Sequence, residues 1–329
     1  MNKLLVLVFS LVFLFLQSSP VQASSGLLYF ESQGLVGYST AEKHLIYHSQ
    51  HPNDVMQENS IGFDYIQKIS SETGDIGTLA LQPRLSYDDA MKKAQFQVYN
   101  AYMKFKTAPG DIWVGHNRIA FGLASYWDTH AQLLQPLSMY GFGLDRDWGL
   151  GFSRDTEDGT IQVSLSSGAG MPISFNGNWL AAARVSKGVL NYDNYSLGFD
   201  VMGGRVLPVM GYMIQSYIPQ ALFLFGTDLA LNHNNIEHKA EFNIGEKGNH
   251  LSLAAFYRIG FNFLDEDRLK LEAQATYTRQ MEQDNNSIAG GITYKLSSVF
   301  TTRFMYEHEK DTSDNRYVFQ LYYYAGGIL

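Results

Sequence analysis

The sequence predicts an all-β chain that closes into a transmembrane antiparallel up-and-down β-barrel of about sixteen strands, with fourteen or eighteen as alternatives. Three observations predict this: long segments of period-two alternation, hairpin signals between them, and no run of about 18 apolar residues in 24–329. Alternation is clearest at 268–279, where Leu269, Leu271 and Ala273 alternate with polar and charged residues. Such a strand has one apolar face. Its length approaches the ~9–11 residues that cross a bilayer.

The same alternation recurs along the chain and defines seventeen candidate strands. Turn residues separate several of them, as at 245–248 (GEKG) and 283–286 (QDNN). Single-chain bacterial barrels have even strand counts, so one candidate should be wrong. Pro208 and Pro219 mark 179–231 as the weakest region. The candidates lie near 27–38, 58–70, 76–87, 95–107, 110–118, 147–154, 160–166, 178–187, 193–202, 205–216, 221–231, 236–245, 250–259, 268–279, 286–296, 300–309 and 316–324.

The first 23 residues predict a cleaved signal peptide, followed by a single transmembrane barrel domain over 24–329. Lys3 precedes an apolar stretch at 4–16, and 21–23 (VQA) places small residues at the two positions that a signal peptidase reads. As a helix, this stretch is too short to span the ~30 Å hydrocarbon core. The chain is therefore expected to be exported to the outer membrane of a Gram-negative bacterium, with outer-membrane lipid as a partner.

Composition excludes several classes of partner. The formal net charge is −8 and no basic run occurs, so nucleic acid is not an expected ligand. The chain has no cysteine, which excludes disulfides and thiolate metal sites, and no cofactor is expected. Aromatic residues reach 14%, as girdles at the two membrane interfaces would require. A large soluble β protein with an aromatic core would show the same composition.

Strand number decides which face meets lipid, because a soluble barrel shows the same period with its apolar side inward. A barrel of ~8 strands fills its interior with side chains, whereas one of ~16 strands leaves an aqueous lumen and is polar inside. At sixteen strands, the apolar face is therefore predicted to face lipid and the polar face to line the lumen.

The longest link between candidate strands follows 110–118 and runs over 119–147. If the amino terminus is periplasmic, this link is the third external loop. Asp128 is expected to cap a short helix at 129–135, which Pro136 would stop. The aromatic content of the loop favours packing, and a floppy exposed loop is the alternative.

Around this link the chain resembles the outer-membrane porins, including the phosphate-selective porins. The resemblance lies in 111–115 (DIWVG), Arg118, 121–122 (FG) and 146–149 (RDWG), and the strand plan extends it over the mature chain. It implies a third loop that folds into the lumen, a homotrimer, and recognition by the outer-membrane assembly machinery. That machinery usually reads a terminal aromatic residue, but 325–329 contains none, so the assembly signal is expected to be internal or atypical. Because the chain is acidic, phosphate specificity does not carry over.

Candidate pore residues follow from the polar face. The pore constriction is predicted to contain Arg118, Asp128, Asp145, Arg146 and Arg154. A cationic wall that faces an acidic loop would set a transverse field that sorts ions. The alternative is that lumen charges pair with one another and only solvate the wall. The predicted wall cations are Arg84, Lys104, Lys106, Arg184, Lys239, Arg258, Lys270, Arg303 and Arg316, and the acids that could oppose them include Asp147, Glu241, Glu272 and Glu307.

The predicted function is a water-filled channel for passive diffusion of small hydrophilic solutes or ions. No enzyme is expected, because the sequence shows no Ser/His/acid constellation and no HExxH motif. Loop histidines such as His48 are interpreted as solvated. One alternative is a barrel transporter for a hydrophobic ligand such as a fatty acid, although 24–35 is short for the plug it would need. A second alternative is a secreted, soluble β-sandwich or lectin-like protein.

Overall fold

Sixteen long antiparallel strands form a closed barrel wall in the computed structural model, which describes residues 22–50, 57–72 and 74–328. The predicted signal peptide lies outside the described residues, except for its last two. The strands are β1 (Gln22–Ser39), β2 (His44–Ile46), β3 (Asn59–Ser71), β4 (Gly74–Asp88), β5 (Lys93–Thr107), β6 (Gly110–Arg118), β7 (Arg146–Thr156), β8 (Gly159–Ser166), β9 (Trp179–Lys187), β10 (Tyr195–Val206), β11 (Val209–Met210), β12 (Met213–Ile214), β13 (Gln220–His233), β14 (Ile236–Lys247), β15 (His250–Phe263), β16 (Leu269–Gln280), β17 (Gln283–Lys295), β18 (Phe300–Glu309) and β19 (Asp314–Ile328).

The wall closes because its first and last strands pair. β1 lies antiparallel to β19, from Leu27 opposite Ile328 to Ser39 opposite Arg316. The remaining wall strands pair with their neighbours in chain order, while β2, β11 and β12 are short additions. A closed sheet has no free edge, so its backbone groups are satisfied within the wall. The predicted fold class is confirmed.

One candidate strand, 205–216, does not form a wall strand of its own, because its first two residues complete β10. β10 ends at Val206, and β11 and β12 then form a separate two-stranded hairpin. Pro208 lacks a backbone N–H and has a fixed φ, so the wall ladder stops before it. The predicted count of sixteen is confirmed, and the surplus candidate lay in the region that the prolines marked as weakest.

Side chains alternate across the wall as the sequence predicts. On β16, Ala273 and Ala275 are exposed on the outer face, whereas Gln274 is buried on the lumen side. Large apolar side chains stand on the same outer face of other strands, and Ile61 and Phe199 are 60% and 59% exposed. An exposed apolar surface of this kind is typical of barrels whose outer face meets lipid.

The two ends of the wall differ in the length of their links. The end that holds both chain termini, here called the turn end, has short links such as 108–109 and 157–158. The opposite end is called the loop end. The segment 119–145, which joins β6 to β7, is the third link at the loop end, and it is two residues shorter than the predicted link 119–147 because β7 begins at Arg146. Four links at this end are long: 40–58, 119–145, 167–178 and 207–219.

The predicted helix at 129–135 does not form. Ala131 has a φ of 59°, and Asp128 Oδ1 accepts the backbone N–H of His130, so a tight turn replaces the helix. Pro136 precedes a single 3₁₀ turn instead of ending a helix. In the described segments, no helix has the length and apolar character needed to cross a bilayer. Helical turns occur at Leu123–Ser125, Leu137–Tyr140, Leu190–Asp193 and Asp265–Asp267.

Candidate functional site

The segment 119–145, here called the inward loop, leaves the wall after β6 and enters the lumen. Its Leu123, Leu137 and Phe142 are fully buried, and they pack against Ala254 and Phe256 on the lumen face of β15. Full burial of one such side chain contributes ~1.5–3 kcal/mol. An apolar patch inside a mostly polar lumen therefore holds this part of the loop.

The middle of the inward loop reaches a distant part of the wall. Leu133 and Leu134 pack with Leu35 of β1, Met305 of β18 and Val318 of β19. The loop starts at β6 and returns at β7, which are several strands away from these residues in the wall. The inward loop therefore crosses the lumen.

Wall side chains also bind the backbone of the inward loop. Gln274 Nε2 donates to the Gln135 carbonyl at 3.1 Å, and Gln280 Nε2 donates to the Tyr140 carbonyl at 2.7 Å. Gln274 Oε1 in turn accepts from both Nε and Nη2 of Arg258, at 3.0 and 2.7 Å. The lumen face of β16 therefore fixes both the loop and a neighbouring wall cation.

Aromatic side chains of the inward loop cover cations of the wall. The Arg258 guanidinium and the Lys239 ammonium lie 4.5 and 4.9 Å from the centre of the Trp127 ring. The Arg184 guanidinium lies 4.6 Å from the Tyr126 ring. Cation–π contacts of this kind contribute ~0.5–2 kcal/mol each. The wall cations on this side therefore contact aromatic rings of the inward loop, although the sequence predicted that they would face acidic residues of that loop.

Four of the five predicted constriction residues come together at the loop ends of β6 and β7. Arg118 Nη2 lies 3.0 Å from Asp128 Oδ2, and Arg146 Nη2 lies 3.7 Å from Asp128 Oδ1. Arg146 also pairs with Asp145. Its fully buried guanidinium stacks 3.6 Å from the centre of the Tyr99 ring. These charges neutralise one another directly and do not face each other across an opening.

Asp128 is the most accessible member of this cluster, with a side chain that is 57% exposed. Desolvation by neighbouring groups opposes its ionisation, but the guanidinium groups of Arg118 and Arg146 lower the pKa of Asp128 well below its usual range. Asp128 is therefore ionised at neutral pH, and its carboxylate is available to a solute in the lumen.

Arg154, the fifth predicted constriction residue, is not part of this cluster. It lies opposite Ile161 in the β7–β8 ladder, and the Ile161 side chain stands on the outer face. Leu150 and Phe152 share that face. Arg154 lies two residues before the end of β7, at the turn end, so its long side chain can reach water beyond the apolar band. The prediction that Arg154 faces the lumen is wrong.

The predicted wall cations are largely paired with acids or amides, as the alternative interpretation of the lumen charges expects. Asp147 accepts hydrogen bonds from Ser167 and the Gly168 amide, so it anchors the link 167–178. Lys104 and Lys106 lie near the turn end. The pairs are Arg84 with Gln97 (2.7 Å), Lys104 with Asp111 (3.1 Å), Lys106 with Asp75 (3.6 Å), Arg184 with Asp228 (2.8 Å), Lys239 with Glu237 (2.7 Å), Lys270 with Glu237 (2.8 Å) and Glu272 (3.2 Å), Arg258 with Glu272 (3.7 Å), Arg303 with Gln320 (2.8 Å) and Arg316 with Glu307 (3.3 Å).

Sequence reasoning missed the buried polar residues of the first long link, 40–58. Gln50 Nε2 donates to Glu307 Oε1 at 2.7 Å, and Glu58 Oε2 accepts from the Ser86 hydroxyl at 2.7 Å. Burial raises the pKa of Glu58 to about 7, against the lowering effect of the Ser86 hydrogen bond. A loop has no period, so the sequence carried no signal that these side chains point inward.

Two histidines are buried in ion-pair geometry, so the interpretation of the histidines as solvated is wrong for them. His130 Nε2 of the inward loop lies 2.7 Å from Glu31 Oε2 of β1, and His48 Nδ1 lies 3.1 Å from Asp89 Oδ2. A signal existed for the first pair, since the alternation of β1 places Glu31 on the lumen face. No three His, Asp or Glu side chains in the described parts of the chain have the spacing of a metal site.

A cavity of about 280 Å³ lies between the start of the inward loop and the wall formed by β5 to β8. Arg118 and Lys104 supply positive charge to its lining, and amide, hydroxyl and indole groups supply hydrogen bonds. This lining suits a small polar solute. Its residues include Tyr102, Lys104, Trp113, Asn117, Arg118 and Ser125.

The closed sixteen-strand wall, its charged lumen and the inward loop define a barrel of the porin type. OmpF of Salmonella typhi, solved in complex with daunomycin, matches with a TM-score of 0.65 and 11% identity, over 91% of this chain and 97% of that chain. The anion-selective porin from Comamonas acidovorans matches with a TM-score of 0.63 and 9% identity, over 93% and 100% of the two chains.

A trimer form of OmpT, an outer membrane protein of Vibrio cholerae, is similar to the same degree. Its TM-score is 0.64 at 11% identity, over 93% of this chain and 99% of that chain. At such identities the likeness shows the fold alone. No protein-family model matches the sequence, and no curated protein matches it.

Proposed function

We propose that this chain is an outer-membrane channel of the porin type, which passes small hydrophilic solutes or ions by passive diffusion. The observation that carries the proposal is the closed sixteen-strand wall, apolar outside and charged inside, with the inward loop across its lumen. The apolar face suits lipid, and the charged face suits water and polar solutes. The proposal includes export with a cleaved signal peptide, residence in the outer membrane and assembly as a homotrimer.

Solutes are proposed to pass beside the wall formed by β5 to β8, where the cavity lies. Arg118 lines that cavity and pairs with the exposed Asp128, while Lys104 stands nearer the turn end. In a narrow passage with low-dielectric walls, such charges act on an ion more strongly than charges at a wide mouth. The polar lining suits a hydrophilic solute better than a fatty acid.

Recording from planar bilayers tests the channel proposal. The protein, purified and folded in detergent, should produce discrete current steps, and a heat-denatured sample is the control. Folding is checked independently, because a closed barrel migrates differently on a denaturing gel before and after boiling. A sample that shows this shift but passes no current in repeated insertions would overturn the proposal.

Deleting 125–138 tests the role of the inward loop. The deletion removes Leu133 and Leu134, which hold the loop against β1, β18 and β19, and leaves Ile119 and Phe121 in place. Single-channel conductance should rise roughly twofold or more, because the obstruction is removed. If a folded deletion variant conducts like the parent, the inward loop lies outside the solute path.

A further inference from the structure

Three neighbouring strands, β10, β13 and β14, bring acidic residues together on the lumen face. Asp200, Gly226 and Asn243 lie directly opposite one another across these strands. In the next row toward the turn end, Asp228 lies opposite Glu241. Because Gly226 has no side chain, the flanking side chains of the first row can lean toward each other over it. These residues form a cluster on the lumen face of the wall, here called the Gly226 cradle.

The charges of the Gly226 cradle are not balanced by protein groups. Arg184 forms two hydrogen bonds of 2.8 Å with Asp228, and Tyr126 donates a third at 3.0 Å. Arg184 is the single cation that forms an ion pair with this cluster in the described part of the chain. Asp200 and Glu241 are therefore left as two buried carboxylates without a cationic partner, an arrangement that proteins rarely tolerate.

The oxygens of Asp200 have no hydrogen-bond donor, although the carboxyl is 94% buried. The Gly122 amide and the Asp228 carboxyl lie close to it, but neither completes a hydrogen bond of good geometry. Glu241 Oε2 accepts the backbone N–H of Leu123 at 3.4 Å, which is a long contact. The carboxylate oxygens of Asp200 and Glu241 therefore accept few hydrogen bonds.

Asn243 supplies an independent observation. This side chain is fully buried, and its Nδ2 donates to Glu241 Oε1 at 2.9 Å, which leaves its Oδ1 without a donor. A Cβ built on Gly226 would lie 2.1 Å from Asp200 Oδ1 and 2.6 Å from Asn243 Oδ1. Both oxygens therefore lie over the Cα of Gly226, where no side chain separates them. A neutral amide oxygen and a carboxylate oxygen therefore point at one small volume.

We propose that the Gly226 cradle binds a hard divalent cation of the Ca²⁺ class. Asp200 and Asn243 supply direct oxygen ligands, and Glu241 supplies a third or holds Asn243 in place. A divalent ion balances the two unpaired carboxylates, and oxygen-only donors select hard cations over Zn²⁺ or Cu²⁺. Because Glu241 also accepts the amide of Leu123, the ion would stabilise the first turn of the inward loop.

Terbium luminescence tests the proposal, since Tb³⁺ occupies Ca²⁺ sites and emits when a nearby ring is excited. The Tyr126 hydroxyl bonds to Asp228 beside the cradle, so its ring can sensitise the ion. Folded protein in detergent is stripped with EDTA and titrated with Tb³⁺, then with competing Ca²⁺, Mg²⁺ or Na⁺. Saturable emission that Ca²⁺ displaces at lower concentration than Mg²⁺ or Na⁺ is expected.

Two matched variants locate the ion. Asp200→Asn should weaken Tb³⁺ binding at least tenfold, whereas Asp111→Asn, the same change at a distant lumen carboxylate, should leave it unchanged. If Asp200→Asn does not fold, Asn243→Asp serves, because it keeps the oxygen and should bind Ca²⁺ at least as tightly as the parent. Absence of sensitised emission in the folded parent, or equal affinity in Asp200→Asn, would overturn the proposal. The first result would leave a proton shared between Asp200 and Asp228 as the explanation of the buried acids.

Discussion

The outer face and the lumen face of the wall are built from the same strands but follow different rules. Outward positions such as Val163, Phe199 and Ile61 are apolar and exposed, and uniform lipid, as in the proposed membrane location, would suit all of them without a particular partner. Lumen positions such as Arg184 and Gln274 each depend on a specific neighbour. The comparison shows that the outside of this barrel is specified by composition, whereas the inside is specified by pairing.

The largest expected effect comes from breaking one lumen pair. Arg184→Met leaves Asp228 buried without its guanidinium, and loss of one partner of a buried pair costs ~3–5 kcal/mol. Urea unfolding in lipid vesicles should show this loss. The double variant Arg184→Met with Asp228→Asn should recover part of it, because residue 228 is then neutral and no longer needs the guanidinium. If Arg184→Met stays within ~1 kcal/mol of the parent, water solvates the lumen charges and the pairing rule fails.

The next effect compares the two faces at adjacent residues of β8. Val163 is 43% exposed on the outer face, whereas Gln162 alternates with it onto the lumen face, and the cavity borders both residues. Val163→Lys should cost ~2–4 kcal/mol and impair assembly, because a lysine then faces hydrocarbon. Gln162→Lys should cost less than ~1 kcal/mol, because water is within reach. Folded yield, read from the gel shift on boiling, measures both, and equal yields would contradict the assignment of faces.

A smaller effect concerns the loop end, where pH should modulate stability through Glu58. Burial raises the pKa of Glu58 from 4.5 to about 7, so the folded state binds a proton more tightly than the unfolded state. Stability is therefore greatest below pH ~4.5, falls as pH rises toward 7, and then stays constant, with a total change of ~1–3 kcal/mol.

Glu58→Gln should remove this pH dependence, because the amide stays neutral at every pH. Glu157→Gln, at an exposed position in the turn 157–158, is the matched control and should keep it. Unfolding midpoints in urea between pH 4 and 8 provide the measurement. Identical slopes in the parent and in Glu58→Gln would mean that Glu58 is solvated in the folded protein.

The smallest expected effect is on ion preference. Asp128→Lys places a third cation beside Arg118 and Arg146, so the reversal potential in a salt gradient should shift toward anions by on the order of 10 mV. Asp75→Lys makes the same change at an exposed position near the turn end and should shift the potential less. Equal shifts in the two variants would show that the Asp128 cluster does not border the ion path.

These contrasts explain what could be predicted from the sequence. Strand number and the outward positions were predictable, because a period of two and a lipid surface act identically on every strand. Arg154 was within reach too, since it shares the parity of Leu150 and Phe152. That Gln274 lies on the lumen face was also predictable from the alternation. The contacts of Gln274 with both Arg258 and the inward loop were not predictable.

The contacts inside the lumen depend on the path of the inward loop, which local events such as the positive φ of Ala131 determine. For the same reason, the stacking of Tyr99 on Arg146 could not be predicted from the sequence of β5. Arg118, Asp128, Asp145 and Arg146 lie together because they belong to one loop and its two ends. Their direct pairing, instead of opposition across a gap, follows from the turn that the loop makes at Asp128.

The pairing of β1 with β19 has a consequence for how the barrel folds. Thirteen residue pairs join β1 to β19. At the loop end of this ladder, the Ser39 hydroxyl donates hydrogen bonds to Asp314. Without its pairing to β19, β1 would have an unpaired edge to which another strand could bind. A slip of one residue at this junction would turn every side chain of β19 to the wrong face. The fifteen residues of β19 therefore close the wall, and their register with β1 determines which of their side chains face the lumen.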